Sequence, residues 1–255
     1  ESLSVRELGV KGIQRHLESS DAEIVIICTE NSLHAPLVDL ALQLEKHVLV
    51  EFPLVNSVTE AERLWALGLE KNRQLICECI SLLTPAHQLR KQRLATESWS
   101  RLQISFQGRM YRWIESEAEH GHIGQLAIGR LQALWDLVGD LTLKHVDCTF
   151  YDDGYSVLIG MHDKSGHRCQ LRETRRVDTL RESTWFLDGK TFPEESPASK
   201  TNLFEMDLDY VLDALEDIRP HYLEKEACLG VLDLAEQINQ WIAASEPKAS
   251  EPKDS

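Results

Sequence analysis

Short apolar runs alternate with stretches of helical periodicity in the first third of the chain. The runs are rich in β-branched residues, a composition typical of strands that are covered on both faces of a parallel sheet. In chain order, the strand-like runs and the helical stretches between them lie at residues 23–29, 33–44, 47–51, 60–71 and 74–79. Strands that alternate with helices favour right-handed crossovers and parallel pairing. The pattern therefore predicts half of a doubly wound, Rossmann-type α/β domain over residues 1–80.

The pattern changes after Pro85, where strand-like runs begin to follow one another directly. Helices are expected up to about residue 95 and over 123–137, 203–216 and 224–243, and strands over 102–107, 143–151, 156–162, 168–173 and 183–187. Glycine-bearing turns separate the later runs as in hairpins, so we expect a largely antiparallel sheet with a meander order. Residues 81–244 are thus predicted to form a second, α+β domain, and residues 245–255 a disordered tail.

Composition and charge narrow the functional classes. The chain has a net charge of −15 at pH 7 and a pI near 5.1, so its summed field repels nucleic-acid phosphates and anionic lipid. No run approaches the roughly 18 apolar residues of a membrane span, and no signal-peptide pattern begins the sequence. The six cysteines lack the spacing of a disulfide scaffold or a zinc site. We expect a cytoplasmic protein that binds a small molecule, with no metal, nucleic acid or membrane as partner.

Polar side chains follow the first two predicted strands. Thr29, Glu30, Asn31 and His34 lie where the first strand passes into a helix, and open α/β sheets bind ligands at this edge. Such side chains and the helix N-terminal amides can hydrogen-bond a ribose or face a phosphate. The alternative is a helix start whose polar residues serve only as caps. Glu51 ends the second strand at the same edge of the sheet.

The segment from Thr29 to His34, followed by residues 46–53, resembles the glucose-fructose oxidoreductase and inositol dehydrogenase (Gfo/Idh/MocA) family. The resemblance implies a nicotinamide cofactor, NADPH or NADH. The residues that it assigns to cofactor binding are Thr29, Glu30, Asn31, His34, Glu51, Pro53 and Glu78. In most dehydrogenases of the family, a lysine between the glutamate and the proline assists hydride transfer. Phe52 stands there in this chain and cannot donate a proton, which disfavours sugar or polyol dehydrogenation.

Biliverdin reductases, a branch of the family with Glu-Tyr-Pro at this place, are similar to the chain over nearly its whole length. The matching segments lie at residues 6–9, 47–53, 64–65, 80–83, 128–131 and 137–143. In those reductases a Ser-Arg-Leu triplet places an arginine beside the tetrapyrrole, and Arg130 matches it here. The resemblance therefore implies reduction of biliverdin to bilirubin by hydride transfer to the central methine carbon. Arg130, Glu51 and Phe52 are then the catalytic candidates.

Two further arginines are candidates for substrate binding together with Arg130. Arg109 and Arg112 alternate with aromatic residues just after a predicted strand. A cationic, aromatic rim suits a flat dianionic ligand. The alternative is an ordinary loop with amphipathic side chains, and for Arg130 the alternative is a surface position on an amphipathic helix.

No Gly-x-Gly-x-x-Gly motif occurs in the 255 residues. Family members hold the dinucleotide pyrophosphate with that loop, so we expect an N-terminally truncated Rossmann-type domain that binds cofactor weakly. Cys79 and Ser81 also replace two polar residues of the reductases. Two alternatives therefore stay open: an oxidoreductase of the family that acts on another small substrate, and a non-catalytic scaffold or regulatory homologue that has lost cofactor binding. The sequence favours no particular oligomeric state.

Overall fold

The structure is a computed structural model, and it describes residues 2–110, 122–192 and 202–245. Its helices in these ranges are α1 (Val5–Ser19), α2 (Asn31–Gln43), α3 (Val58–Glu70), α4 (Pro85–Thr96), α5 (Ile123–Val138), α6 (Leu203–Leu215) and α7 (Lys225–Ser245), with a 3-10 helix at Ile80–Leu83. Its strands are β1 (Ile24–Ile27), β2 (His47–Glu51), β3 (Leu75–Glu78), β4 (Arg101–Arg109), β5 (Leu141–Tyr151), β6 (Gly154–Asp163), β7 (Arg168–Arg176), β8 (Glu182–Leu187) and β9 (Lys190–Thr191). The tail was expected over residues 245–255. Ser245 instead ends α7, and residues 246–255 lie outside the described residues.

The first three strands form a parallel sheet in the order β1-β2-β3, which confirms the predicted Rossmann-type arrangement. Ile26, Leu49 and Ile76 are register neighbours on one face of this sheet. Val211 and Ala214 of α6 pack against Leu49 and Ile76, whereas Ile26 is 54% exposed. The expectation that β1 is buried on both faces is therefore wrong, because α6 covers this face at β2 and β3 but leaves it exposed at Ile26 of β1.

The remaining strands form a mixed sheet in the order β5-β6-β7-β4-β8-β9. All pairings are antiparallel except that β4 runs parallel to β7. The largely antiparallel sheet is thus confirmed, but the expected meander is wrong at β4, which inserts between β7 and β8 from earlier in the chain. Turn residues specify hairpins only between consecutive strands, so they carry no signal for this insertion.

Helix α1 precedes the first strand and is not predicted by the hydrophobic pattern. Only Ile13 and Leu17 of this helix are buried, so its apolar stripe is too narrow to give a clear helical period. Gly9 interrupts the helix with a φ of 62°, a left-handed conformation that glycine adopts without strain. The N-terminal end of α1 brings residues 3–6 to the cleft described below.

One hydrophobic core joins the two sheets, since buried side chains from both sheets and from every described α-helix except α6 belong to a single cluster. Helices α5 and α7 pack so closely at Gly124 that a Cβ there would lie 2.2 Å from the carbonyl oxygen of Ala235. Gln125 of α5 donates to the carbonyl oxygen of Asn56, after β2, at 3.0 Å. This bond ties a helix of the second sheet to a loop of the first. Among the described helices, none is both long and apolar enough to cross a membrane.

Candidate active site

A cleft of about 1240 Å³ separates the carboxyl ends of β1, β2 and β3 from side chains of β4, α5, β7 and β8. Glu51 and Glu78, at the ends of β2 and β3, contribute to one wall. Arg130, Arg175 and Trp185 contribute to the other. One wall of the cleft is therefore acidic, and the other is basic and aromatic. Open α/β sheets bind their ligands at such strand ends, which makes this cleft the candidate site.

His34 is buried behind the acidic wall and contacts two of its loops. Its Nδ1 lies 2.8 Å from the carbonyl oxygen of Pro53, and its Nε2 lies 3.1 Å from that of Thr29. The residue is 1% exposed and is not among the described residues that line the cleft. Each carbonyl oxygen only accepts, so a ring nitrogen bonds its loop where that nitrogen carries the proton. His34 thus positions Thr29 and Pro53, whereas the sequence suggested direct contact with a cofactor.

Glu78 brings a perturbed carboxyl group to the end of β3. It accepts a hydrogen bond from the main-chain N–H of Ile80 at 2.6 Å. Burial raises the pKa of this carboxyl; the Ile80 N–H opposes the rise, and the carboxylates of Asp207 and Glu51 reinforce it. A carboxyl group that changes protonation above its ordinary range can either accept from or donate to a ligand amide or hydroxyl.

Arg130 reaches the basic wall from α5 and is fixed by Glu173 of β7. Its Nε donates to Oε2 of Glu173 at 2.9 Å, and its Nη2 lies 2.8 Å from the same oxygen. The guanidinium also stacks over the ring of Phe106, 4.2 Å from the centroid. The Arg130 side chain is 18% exposed, so a partly desolvated cation faces the cleft rather than bulk solvent. Such a guanidinium can bind a carboxylate or stabilise negative charge on a bound ligand.

His87 and Arg90 line the cleft from α4, although no sequence pattern singles them out. His87 is 2% exposed, and its Nε2 lies 2.8 Å from Oδ2 of Asp136. Lys91 pairs with the same carboxylate at 2.8 Å. Arg90 lies over the ring of Trp185 at 4.5 Å from the centroid, and burial lowers its pKa to about 10. The structure thus adds a buried imidazole and a further cation to the cleft.

Glu173 and Arg175 were not predicted from the sequence, although the alternation of residues along β7 could have indicated them. Cys169, Leu171 and Glu173 alternate as buried positions of this strand. A carboxylate therefore stands where the period of two leads one to expect an apolar side chain. A buried carboxylate needs a cationic partner, and Arg175 follows it on the same face of the strand. Charged residues at inward positions of a predicted strand would have indicated this cluster.

Most of the candidates from the sequence meet at the cleft. Those that line it are Thr29, Glu30, Asn31, Glu51, Phe52, Pro53, Glu78 and Arg130. Arg109 lies exposed at the end of β4 and is not among the described lining residues. Arg112 lies outside the described residues. The roles assigned to individual residues stay predictions.

The fold and the cleft define a class of protein. A parallel sheet with polar residues at its carboxyl edge, joined across a cleft to a mixed sheet, is the architecture of two-domain nicotinamide-dependent oxidoreductases. Residues 2–79 match the family model described as "Oxidoreductase family, NAD-binding Rossmann fold". This match to a model of the Gfo/Idh/MocA family covers the residues that carry the predicted resemblance and confirms that resemblance.

Biliverdin reductases are among the proteins to which the chain is similar. It is 32% identical to biliverdin reductase A of Mus musculus and 31% identical to that of Homo sapiens, in each case over 147 residues, 55% of this chain and 48% of the relative. The chain thus spans about half the length of the curated relatives it matches. The crystal structure of biliverdin reductase from Synechocystis sp. PCC 6803, in complex with biliverdin and NADP+, has a TM-score of 0.77 and 25% identity. That comparison covers 89% of this chain and 81% of the other.

The acidic wall fits the nicotinamide and ribose half of a dinucleotide. Thr29 and Glu51 place a hydroxyl and a carboxylate at the strand ends, where a ribose can hydrogen-bond. Helix α2 begins at Asn31 beside them, and its N-terminus can face a phosphate. The 255 residues contain no glycine-rich loop of the kind that cradles a pyrophosphate. The residues present therefore fit one half of the cofactor.

Proposed function

We propose that this protein takes part in the NAD(P)H-dependent reduction of biliverdin to bilirubin, with residues 1–80 on the cofactor side and 81–244 on the substrate side. The observation that carries the proposal is the position of Arg130. It lies on the cleft wall that faces the ends of β2 and β3, and the buried Glu173 fixes it there. The similarity to biliverdin reductases, one of them solved with biliverdin and NADP+, supports the choice of substrate.

The conversion adds a hydride to the central methine carbon of the tetrapyrrole and a proton to one of its nitrogens. A bound nicotinamide supplies the hydride. The guanidinium of Arg130 binds a propionate or stabilises negative charge that develops on the conjugated system, and a partly desolvated site strengthens either interaction. Because an arginine remains protonated, it serves as a fixed cation, and the proton arrives through water in the cleft.

Phe52 is compatible with this chemistry. Its side chain lines the cleft between Glu51 and Pro53 and offers no proton. Oxidation of a carbinol needs a base for the hydroxyl proton, whereas a conjugated tetrapyrrole accepts a hydride at carbon without an acid at this position. The ring also gives a flat pigment a face on which to stack. Phe52 therefore argues against sugar substrates and leaves tetrapyrrole reduction open.

The test is a titration with biliverdin, followed by its visible absorption bands, and then addition of NADPH or NADH. We expect band shifts on binding and a bilirubin-like band after the dinucleotide is added. Arg130→Lys keeps the charge but loses the planar fork, so the rate should fall by roughly tenfold or more. Arg176→Lys is the matched control, because Arg176 pairs with Asp153 at the surface. Equal rates for the two variants contradict the role of Arg130.

One observation favours a non-catalytic homologue, namely that Cys79 and Ser81 stand where the reductases that the chain resembles have polar residues. The same titration separates the two functions. If the pigment binds with band shifts but neither dinucleotide converts it, the chain is a pigment-binding protein without reductase activity. If the pigment does not bind at all, the proposed substrate is wrong.

A further inference from the structure

Arg175 lies beside Arg130 on the basic wall, and the two guanidinium groups share their partners. Oε1 of Glu173 accepts from Nε of Arg175 at 2.6 Å, while Oε2 accepts from Nε of Arg130 at 2.9 Å. Both groups also lie over the ring of Phe106, with Cζ-to-centroid distances of 5.1 and 4.2 Å. Glu173 is fully buried, and the hydroxyl of Tyr155 donates a further bond to its Oε1 at 3.2 Å.

This cluster carries one excess positive charge. Two guanidinium groups face one carboxylate, and burial raises the pKa of the Tyr155 phenol, so that the hydroxyl stays neutral. Burial alone lowers the pKa of Arg175, but Glu173 and Tyr155 outweigh it, and the net shift is upward. A guanidinium is not deprotonated in proteins, so two positive charges face the single carboxylate. An uncompensated charge in a partly desolvated wall is unfavourable unless an anion neutralises it.

Glu173 uses only part of the hydrogen-bonding capacity of the two arginines. Each guanidinium has five N–H donors. Among the described residues, Arg175 bonds Glu173 and Tyr155, and Arg130 bonds Glu173 and the carbonyl of Leu126. Both side chains line the cleft, where their remaining donors can meet a ligand. Two adjacent guanidinium groups, each able to bond a carboxylate through two N–H donors, match a ligand that carries two carboxylates.

We propose that Arg175 and Arg130, oriented by Glu173, form a site for the two propionates of the pigment. The inference rests on the proposed function and extends it, because it assigns one propionate to Arg175. Glu173 is then a positioning residue that fixes the spacing of the two cations without touching the ligand. In a chain with a net charge of −15, this local pair of cations also accounts for attraction of a dianion to an acidic protein.

The experiment compares dissociation constants of biliverdin and its dimethyl ester, measured by absorption titration without a dinucleotide. The ester keeps the chromophore and removes both negative charges. We expect the wild type to bind the acid roughly tenfold or more tightly than the ester, since a charge-assisted hydrogen bond contributes at least one such factor. Arg175→Gln should weaken binding of the acid by a similar factor and change binding of the ester by less than about threefold.

Two further variants make the outcome specific. Arg176→Gln removes a neighbouring arginine whose partner is Asp153 at the surface, so it should leave the preference for the acid unchanged. Arg175→Gln alone leaves Glu173 with one cation fewer, which can destabilise the fold. Glu173→Gln combined with Arg175→Gln removes one charge of each sign and keeps the net charge of the cluster. The double variant should fold and, because Arg130 is still charged, keep a preference for the acid that is roughly tenfold smaller than that of the wild type.

The outcomes separate the inference from the function on which it rests. If the wild type binds neither pigment, the proposed function fails. If it binds acid and ester equally, or if Arg175→Gln behaves like Arg176→Gln, the two-guanidinium site is overturned while tetrapyrrole binding stands. An acid preference that is roughly tenfold smaller in both variants of Arg175, and intact in Arg176→Gln, supports the site.

Discussion

His87 and Asp136 form a contact across two helices, with Nε2 of the imidazole 2.8 Å from Oδ2 of the carboxylate. Lys91 pairs with the other oxygen at 2.8 Å. Burial alone would raise the pKa of Asp136, but the hydrogen bonds from His87 and Lys91 outweigh it and lower the pKa below its usual 3.8. The contact fixes α4, which carries His87 and Arg90, against α5, which carries Arg130.

Asp136→Asn should therefore destabilise the protein in a pH-dependent way. Because the folded-state pKa is lowered, the carboxylate contributes stability above about pH 4 and loses it as the pH falls through the folded pKa. We expect a loss of about 1–3 kcal/mol at pH 7 that shrinks towards pH 3, measured by urea unfolding. Asp153→Asn, at an exposed pair, should cost about 0–1 kcal/mol at most. A pH-independent difference for Asp136→Asn would contradict this interpretation.

Glu78→Gln tests a carboxyl group whose pKa is raised, in contrast to the lowered pKa of Asp136. Burial raises the folded-state pKa of Glu78 above its usual 4.5, so the wild type loses stability as the pH rises from about 4.5 through the folded pKa. Glutamine has no charge to desolvate and can still accept from the N–H of Ile80. The variant should be more stable than the wild type at pH 7, with the difference vanishing near pH 4, as thermal unfolding would reveal. If Glu78→Gln is less stable than the wild type at pH 7, burial of the Glu78 carboxyl does not raise its pKa.

Gln132 of α5 is buried, and neither its Oε1 nor its Nε2 has a hydrogen-bond partner among the described residues. Gln132→Met keeps the length of the side chain and removes both polar atoms, so it should stabilise the fold by about 1–3 kcal/mol. Gln125→Met is the control on the same helix, because that amide bonds Asn56 and Asn239 and its loss should destabilise. The free energy of unfolding of both variants is measured with a denaturant. Destabilisation by both substitutions would refute the prediction.

Phe52→Tyr examines whether position 52 supplies a proton. The biliverdin reductases that the chain resembles carry tyrosine there, and the Phe52 side chain lines the cleft. If the position is only a packing surface for the pigment, the added hydroxyl should change the reduction rate by less than about threefold. A rate increase of roughly a hundredfold in a steady-state assay would show that the wild type lacks a needed acid.

The parallel sheet could be predicted because each of its strands is a continuous apolar run between helical stretches. The place of β4 could not, because its neighbours in the sheet come from far along the chain and no turn connects them. Exposure of Ile26 likewise depends on how far α6 extends over the sheet, which a local pattern does not contain. Long-range pairing is therefore where the sequence-based prediction of the fold stops.

Some residues of the candidate site could be predicted from the sequence, and others could not. Residues at strand ends, such as Glu51 and Glu78, were predictable because position in the strand fixes position at the edge of the sheet. Arg130 was found only through a family resemblance, since its own helix gives no reason to prefer it. Its partner Glu173 lies 43 positions away in another element, so only tertiary structure shows that the pair exists.

In the proposed function, the tetrapyrrole accepts a hydride from the nicotinamide in this cleft. To test this transfer, the protein and biliverdin are incubated with NADPH that is deuterated at the nicotinamide C4, using each epimer in turn. The mass of the pigment is then measured by mass spectrometry. We expect bilirubin one mass unit heavier with one epimer, deuterium at the central carbon, and loss of the product in Arg130→Ala. Bound pigment that gains no deuterium from either epimer would contradict this transfer.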